Sequence, residues 1–175
     1  MRLFWSIKAL PSALTTAWRV LKDMLPTRAN LERRGLILES NRCAMCGEDE
    51  ESGSHVFFEC RVAWRVWCLC SEWVGEPTVV HREGKSHFLQ FNLNWATQEI
   101  NRFWRCVWIA VVREIWKQRN QVIFKEGRAD ISEIFTLAQL KAWTWLTNKE
   151  NLAEFTYAHW CINPTECLKS IRKRR

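Results

Sequence analysis

The feature that most constrains this chain is a set of four potential metal ligands within residues 43–60, CAMCGEDEESGSHVFFEC. Two residues separate Cys43 from Cys46, eight separate Cys46 from His55, and four separate His55 from Cys60. Thiolate sulfur and imidazole nitrogen are ligands that Zn²⁺ prefers, and structural zinc sites take four of them in a tetrahedron. The spacing therefore predicts one structural zinc ion, held by three cysteines and one histidine.

A zinc ion with four protein ligands has no open coordination position at which to activate water. We therefore expect the metal to stabilise the fold, and a zinc hydrolase would require one of these ligands to be replaced by water. Gly47 directly follows Cys46, and a turn that bends two thiolates around a metal favours a residue that can adopt positive φ. The alternative is that the cysteines are ordinary small buried side chains.

The five remaining cysteines show no second ligand spacing and are predicted to be core residues or free thiols: Cys68, Cys70, Cys106, Cys161 and Cys167. At 175 residues the chain is longer than the usual small disulfide-rich secreted protein, and metal-ligand spacing fits a reducing compartment. No secretory signal and no apolar run of roughly 18 residues is present. We expect an intracellular protein, nuclear or cytoplasmic, that is not secreted and does not associate with a membrane.

The net charge of +7 and the pI of about 9.2 favour an anionic partner, above all a nucleic acid. The chain also contains twelve tryptophans. Tryptophan can stack on nucleic-acid bases. Most of these residues fall at helical spacing, however, and we expect them to fill a helical core.

Hydrophobic periodicity predicts a mainly α fold, a helical domain with a small zinc-binding turn and little or no β structure. Thr27 and Asp130 are predicted N-caps. The predicted helices cover 12–24, 27–34, 60–74, 96–125 and 130–148. On the longest helix, a basic set is expected to face solvent or to contact phosphate: Arg102, Arg105, Arg113, Lys117 and Arg119.

Composition divides the chain into four regions. Residues 1–75 are the zinc-binding region with its flanking helices, and 76–95 are a linker in which His81 and His87 are expected to be solvated. Residues 96–150 form a helical region, and 151–175 form a tail that ends in LKSIRKRR. The basic end is read either as a nuclear-localisation or nucleic-acid patch or as a solvated terminus.

Features of most enzyme classes are missing from the sequence. The aspartates, Asp23, Asp49 and Asp130, are scattered and form no pair for two-metal chemistry. Neither a glycine-rich phosphate loop nor a nucleophile elbow is present. The sequence leaves a Cys/His nucleophilic pair open, but the best candidates are assigned to zinc, and we expect a protein without enzymatic activity.

The stretches LPTRANLERRGL and CAMCGEDEESGSHVFFECRVAWRVW together closely resemble the zinc-binding region that follows the reverse transcriptase in plant LINE-type (non-LTR) retrotransposon polyproteins. Residues Leu25, Pro26, Thr27, Leu31, Arg34 and Gly35 match the family's lead-in, and Trp67 matches its helix tryptophan. IWKQRNQVIF resembles a later stretch through Trp116, Arg119, Asn120 and Phe124, and WCINPTECL resembles sequence near the carboxyl end of such elements. The likeness covers roughly residues 1 to 168.

The resemblance implies a carboxyl-terminal piece of a retroelement protein, without the reverse transcriptase and endonuclease that precede it in the family. It also implies a role in handling RNA or DNA, with the choice between them open. The phosphate-binding candidates are the arginines around the ligands: Arg28, Arg33, Arg34, Arg42, Arg61 and Arg65. The acidic run 48–51 opposes phosphate binding at the loop tip. The alternative function is a structural or protein-interaction fragment, with a reverse transcriptase domain as its partner.

Overall fold

The structure, a computed structural model, describes residues 2–77, 81–150 and 154–171. Within those residues the chain is mainly α, as predicted, and its only β feature is a single antiparallel bridge between Arg42 and Glu50. The helices are α1 (Arg2–Trp5), α2 (Pro11–Leu21), α3 (Arg28–Arg33), α4 (Arg61–Val74), α5 (Gly84–Gln90), α6 (Gln98–Lys125), α7 (Ile131–Glu150), α8 (Tyr157–Ile162) and α9 (Pro164–Ile171). No helix in these ranges combines the length and apolar composition needed to cross a bilayer.

The predicted caps are confirmed by hydrogen bonds to backbone amides at the helix starts. The Thr27 hydroxyl accepts from the Asn30 N–H at 3.3 Å, and the Asp130 carboxylate accepts from the Glu133 N–H at 3.0 Å. Such bonds satisfy amide donors that have no partner within the helix. They place the first turns of α3 and α7 where sequence reasoning expected them.

Helix α6 is the spine of the core. Its middle section from Ile109 to Val112 is buried on every side, which is the pattern of a helix enclosed by other elements. Helices α2, α7 and α9 pack against α6, and α4 packs against α7. The buried side chains of all these helices join a single hydrophobic cluster.

The tryptophans are mostly core residues, as predicted. Trp67, Trp108 and Trp160 are fully buried. Their indole N–H groups are satisfied inside the protein, since Trp67 donates to the Phe57 carbonyl at 2.7 Å and Trp160 to the Gln139 carbonyl at 3.1 Å. The few exposed tryptophans are therefore the ones available for surface recognition.

Part of the expected linker is folded, and the expectation of a solvated His87 is wrong. Helix α5 lies within residues 76–95, and His87 is only 1% exposed. Its ring lies among the aromatic rings of Phe58, Trp67 and Phe91, and its Nδ1 accepts from the Trp108 indole N–H at 2.9 Å. Helix α5 is too short for its periodicity to stand out in the sequence. The division of the chain into regions stays a prediction.

The tail also contains structure that the sequence analysis did not anticipate. Helices α8 and α9 bury Trp160, Cys167 and Leu168 in the core. The basic end of the tail, residues 172–175, lies outside the described residues. Its proposed roles therefore stay predictions.

Burial lowers the pKa of His87 to about 3 from its ordinary value of 6.5. The neutral ring is thus the folded form, and its stabilising contribution is present above pH 6.5 and is lost as the pH falls from 6.5 towards 3. We expect His87→Phe to remove a stability slope of about 1.4 kcal/mol per pH unit in that window. Urea midpoints of wild type, His87→Phe and the exposed control His159→Gln, measured from pH 7 down to about pH 5, test this.

Protonation of other groups changes the stability of all three proteins alike. The difference between wild type and His87→Phe in the slope of stability against pH therefore reports on His87. Equal slopes for His87→Phe and wild type would show that this histidine is not held neutral.

Candidate metal centre

A closed turn brings the first two cysteines together. The Cys43 N–H donates to the Asp49 carbonyl at 2.7 Å, and the Gly47 N–H donates to the Cys43 carbonyl at 2.8 Å. Gly47 has a φ of 74°, as expected from its place after Cys46. The turn holds both thiols on its inner side, where Cys43 and Cys46 are buried.

A π-helical turn, His55–Glu59, positions the other two ligands. The Cys60 N–H donates to the His55 carbonyl at 2.7 Å, an i to i+5 bond. The four-residue gap between His55 and Cys60 is one residue too long for one face of an α-helix, and the wider turn removes that mismatch. Cys60 was expected in the first turns of the following helix; it lies instead at the N-cap position of α4.

The four predicted ligands converge on one point. Their ligand atoms all lie within 4.8 Å of one another, and all four residues are buried. The Cys43 and Cys60 sulfurs are 3.9 Å apart, and the Cys46 sulfur is 3.3 Å from His55 Nε2. Zinc–sulfur bonds of about 2.3 Å give a tetrahedron with edges of about 3.8 Å. The cluster therefore fits one zinc ion.

Hydrogen bonds within the cluster shift the pKa values of its members. The bond between the two thiols raises the pKa of Cys43 to about 12 and lowers that of Cys60. Bonds to Cys43 and Cys46 raise the pKa of His55 to about 9 against the opposing effect of burial. Metal ligands must be deprotonated, so zinc binding here would release protons.

The orientation of the His55 ring assigns Nε2 as the ligand atom. Nε2 faces Cys46, whereas Nδ1 lies 3.8 Å from the Asp49 carboxylate. Ligating histidines commonly present their second nitrogen to a carboxylate, which fixes the ring and its tautomer. At 3.8 Å the Asp49 carboxylate makes a charge contact with the ring but lies beyond hydrogen-bonding distance. The sequence showed Asp49 only as part of an acidic run.

A buried carboxylate links the metal loop to the rest of the molecule. Glu51 is fully buried, and its Oε1 accepts from the Arg28 N–H at 3.0 Å and from the Arg119 guanidinium, with Nε at 3.2 Å. Its Oε2 accepts from the Ala44 N–H, between the ligands Cys43 and Cys46, at 3.2 Å. One side chain therefore joins the ligand turn, the start of α3 and helix α6.

This arrangement corrects two expectations from sequence. Glu51 does not belong to a solvated acidic run, and Arg119 does not lie on a solvated face, since it is only 4% exposed. Arg119 follows Ile115 by four residues on the buried stripe of α6, which was the available signal. Arg105 is also buried; burial lowers its pKa, and it donates to the Asn92 side chain at 2.9 Å.

Within the stretch 115–124, Arg119 contacts two neighbouring residues of the same helix, Trp116 and Asn120. The guanidinium lies over the Trp116 ring, 4.8 Å from its centroid, and donates to the Asn120 side chain at 3.0 Å. Phe124 stands apart from this group and is 76% exposed.

Two of the arginine candidates lie beside the metal loop. Arg42 donates to the Glu48 carbonyl at 3.2 Å, and Arg61 pairs with the Glu48 carboxylate at 2.8 Å. Arg65, one turn along α4 from Arg61, pairs with Glu72 at 2.6 Å. These three side chains are exposed.

The other three candidates belong to α3 and its end. Arg33 pairs with Asp23 at 2.8 Å, and Arg34 donates to the Met24 carbonyl at 3.2 Å. Arg28 is half-buried, and its side chain is tied to the segment that leads into the metal loop. The structure thus brings Arg42 and Arg61 together at Glu48, whereas Arg33 and Arg34 are held at residues 23–24.

Comparison with known proteins supports the metal assignment. Residues 1–67 match the protein family described as zinc-binding in reverse transcriptase. That match includes the lead-in from Leu25, all four ligands and Trp67. No curated protein and no solved structure matches the chain. The likeness to a zinc-binding region of reverse transcriptase is therefore confirmed for residues 1–67. The plant LINE-type origin stays a prediction, as does the likeness of residues 115–124 and 160–168, which lie outside the match.

Replacing a ligand should remove zinc and unfold the region from about Leu36 to Trp73. We expect Cys46→Ser and His55→Ala to lower bound zinc from one ion per chain to well below one, with a loss of helicity, because structural zinc contributes roughly 10–16 kcal/mol to folding. Metal analysis and circular dichroism provide the readouts. Cys68→Ser, a half-exposed cysteine outside the cluster, is the matched control. Full zinc and wild-type helicity in either ligand variant would refute the assignment.

Removing the charge of Glu51 should destabilise the fold far more than removing the charge of its neighbour Glu50. Glu51→Gln leaves the buried Arg119 guanidinium without its counter-charge, which costs about 3–5 kcal/mol. Glu50→Gln alters an exposed neighbour and should change the free energy of unfolding by less than about 0.5 kcal/mol. Urea denaturation of the two zinc-loaded variants measures the difference, and equal stabilities would contradict the role given to Glu51.

Proposed function

We propose, from the premise that residues 1–67 carry the zinc-binding region found in reverse transcriptase, that this chain is a non-catalytic nucleic-acid-binding module. In this proposal it derives from a plant LINE-type retrotransposon polyprotein and serves as an accessory to reverse transcription. One zinc ion stabilises it. A four-ligand zinc site offers no coordination position for activating water, which supports the absence of catalysis.

The observation that carries the proposal is an exposed tryptophan between two arginines on the helix that the zinc site anchors. Trp64 is 49% exposed, and Arg61 and Arg65 lie three residues before it and one residue after it on α4. Residues three and four apart share a helix face, so Arg61 neighbours both Trp64 and Arg65. An indole can stack on any base, and guanidinium groups neutralise phosphates.

The acidic partners of these arginines do not rule out phosphate contact. Glu48 and Glu72 form exposed ion pairs with Arg61 and Arg65, and such pairs contribute about 0–1 kcal/mol. A phosphate that offers several charge-assisted hydrogen bonds can replace them. The burial of Glu51 also reduces the negative charge of the exposed loop relative to the sequence expectation.

The chemistry of this surface favours single-stranded RNA or DNA without base specificity. Stacking on Trp64 needs an unpaired base, whereas a duplex hides its base faces. The competing function, a protein-interaction fragment without nucleic-acid binding, makes the opposite prediction for oligonucleotide affinity.

Trp64→Ala should weaken binding of fluorescently labelled oligo(dT) and oligo(U) by about tenfold or more, because stacking contributes about 1–3 kcal/mol per base. Trp95→Ala, which removes another exposed tryptophan, is the matched control and should have little effect. In a salt series, Arg61→Gln combined with Arg65→Gln should reduce the slope of log affinity against log salt by about two.

Fluorescence anisotropy on the zinc-loaded chain measures both effects. Absence of binding at low salt would reject nucleic-acid binding. Equal losses for Trp64→Ala and Trp95→Ala would reject the α4 surface as its location.

A further inference from the structure

A cleft of about 600 Å³ lies between the end of α2, α3, the segment 38–40 and the last turns of α6. Six of its thirteen lining residues have large apolar side chains: Leu25, Leu31, Leu38, Trp116, Ile123 and Phe124. This α3–α6 cleft does not include Trp64, Arg61 or Arg65, so it is separate from the surface proposed to bind nucleic acid.

The charges at the cleft have one predominant sign. Arg19 and Arg28 line it with Glu39 as its acidic residue, while the charge of the third lining arginine, Arg119, is offset by Glu51. The Arg19 side chain is exposed and makes no hydrogen bond or ion pair with any residue that the structure describes. Arg28 uses one guanidinium nitrogen to donate to the Ser40 carbonyl at 2.9 Å. This cation excess complements an occupant that combines apolar groups with carboxylates.

The segment that leads into the cleft at Leu38 is apolar and exposed, and some of its main-chain groups have no hydrogen-bond partner among the described residues. Ile37 is 99% exposed, Leu36 is 52% exposed, and Phe124 projects from the end of α6. The backbone N–H and C=O groups of residues 37–39 form no hydrogen bond with any described residue. Main-chain groups of this kind pair readily with the backbone of another polypeptide. The aliphatic part of the lining, Leu25, Leu31, Leu38 and Ile123, suits leucine-like side chains.

We propose that the α3–α6 cleft binds a segment of a partner protein in which large apolar side chains lie next to aspartate or glutamate. The apolar side chains fill the space between Leu31, Leu38 and Ile123, and the carboxylates face Arg19 and Arg28. The proposal does not depend on nucleic-acid binding at α4.

The cleft is built on the same network as the metal centre. Arg119 lines it and is held by Glu51, whose other oxygen accepts from the Ala44 N–H between two zinc ligands. The carboxylate thus fixes a wall of the cleft relative to the ligand turn.

A library of random peptides displayed on phage, selected on the zinc-loaded full chain, tests the proposal. Two variants alter exposed cleft residues: Arg19→Glu reverses the unpaired charge, and Phe124→Ser removes an exposed apolar side chain from the lining. Lys85→Glu and Ile162→Ser make the same changes at exposed positions outside the cleft. Circular dichroism and zinc content check that all four fold.

We expect enriched peptides that combine leucine, phenylalanine or tryptophan with aspartate or glutamate. Phe124→Ser should weaken their binding about tenfold or more, and Arg19→Glu should weaken it several-fold. The two control variants should bind like wild type.

Enrichment of peptides without acidic residues, no enrichment, or equal effects of cleft and control variants would overturn the proposal. Loss of oligonucleotide binding in Arg19→Glu and Phe124→Ser would also overturn it, because the cleft would then be a nucleotide site. If Trp64→Ala does not weaken oligonucleotide binding, the α4 surface is rejected, but peptide binding at the cleft is unaffected. The two proposals can therefore fail separately.

Discussion

The fold depends on a buried ion pair between Glu51 and Arg119. Glu51 comes from the metal loop and Arg119 from the spine helix α6, 68 residues later in the chain. A buried carboxylate is tolerable only when its hydrogen-bonding capacity is satisfied. Here the backbone N–H groups of Arg28 and Ala44 also donate to the Glu51 carboxylate, so both of its oxygens are hydrogen-bonded. The ion pair therefore sets the position of the ligand turn relative to the helical core.

Two surfaces follow from this arrangement. On one side, Cys60 occupies the N-cap position of α4, so the metal site helps to set the position of Trp64 and its neighbouring arginines. On the other side, Arg119 forms part of the α3–α6 cleft. The metal site, the proposed stacking surface and the proposed peptide cleft thus share one framework, and none of them requires an open metal site.

The sequence was sufficient for features that local chemistry determines. Ligand spacing gave the Cys43–Cys60 cluster, and capping residues gave the starts of α3 and α7, because these depend on residues close in the chain. The burial of Glu51, Arg119 and His87 was missed. A charged or polar side chain enters a core only where distant partners satisfy it, and the sequence does not show which distant residues meet. The π-helical turn was indicated in the sequence, because the spacing of His55 and Cys60 does not fit one face of an α-helix.

In this structure three thiolates and one imidazole are placed to surround one zinc ion completely. X-ray absorption spectroscopy at the zinc K-edge of the purified, zinc-loaded chain tests it most directly. We expect three sulfur neighbours at about 2.3 Å and one nitrogen at about 2.0 Å, with no further ligand. An oxygen neighbour from water, or fewer than three sulfurs, would contradict a closed structural site and would reopen the possibility of zinc-dependent catalysis.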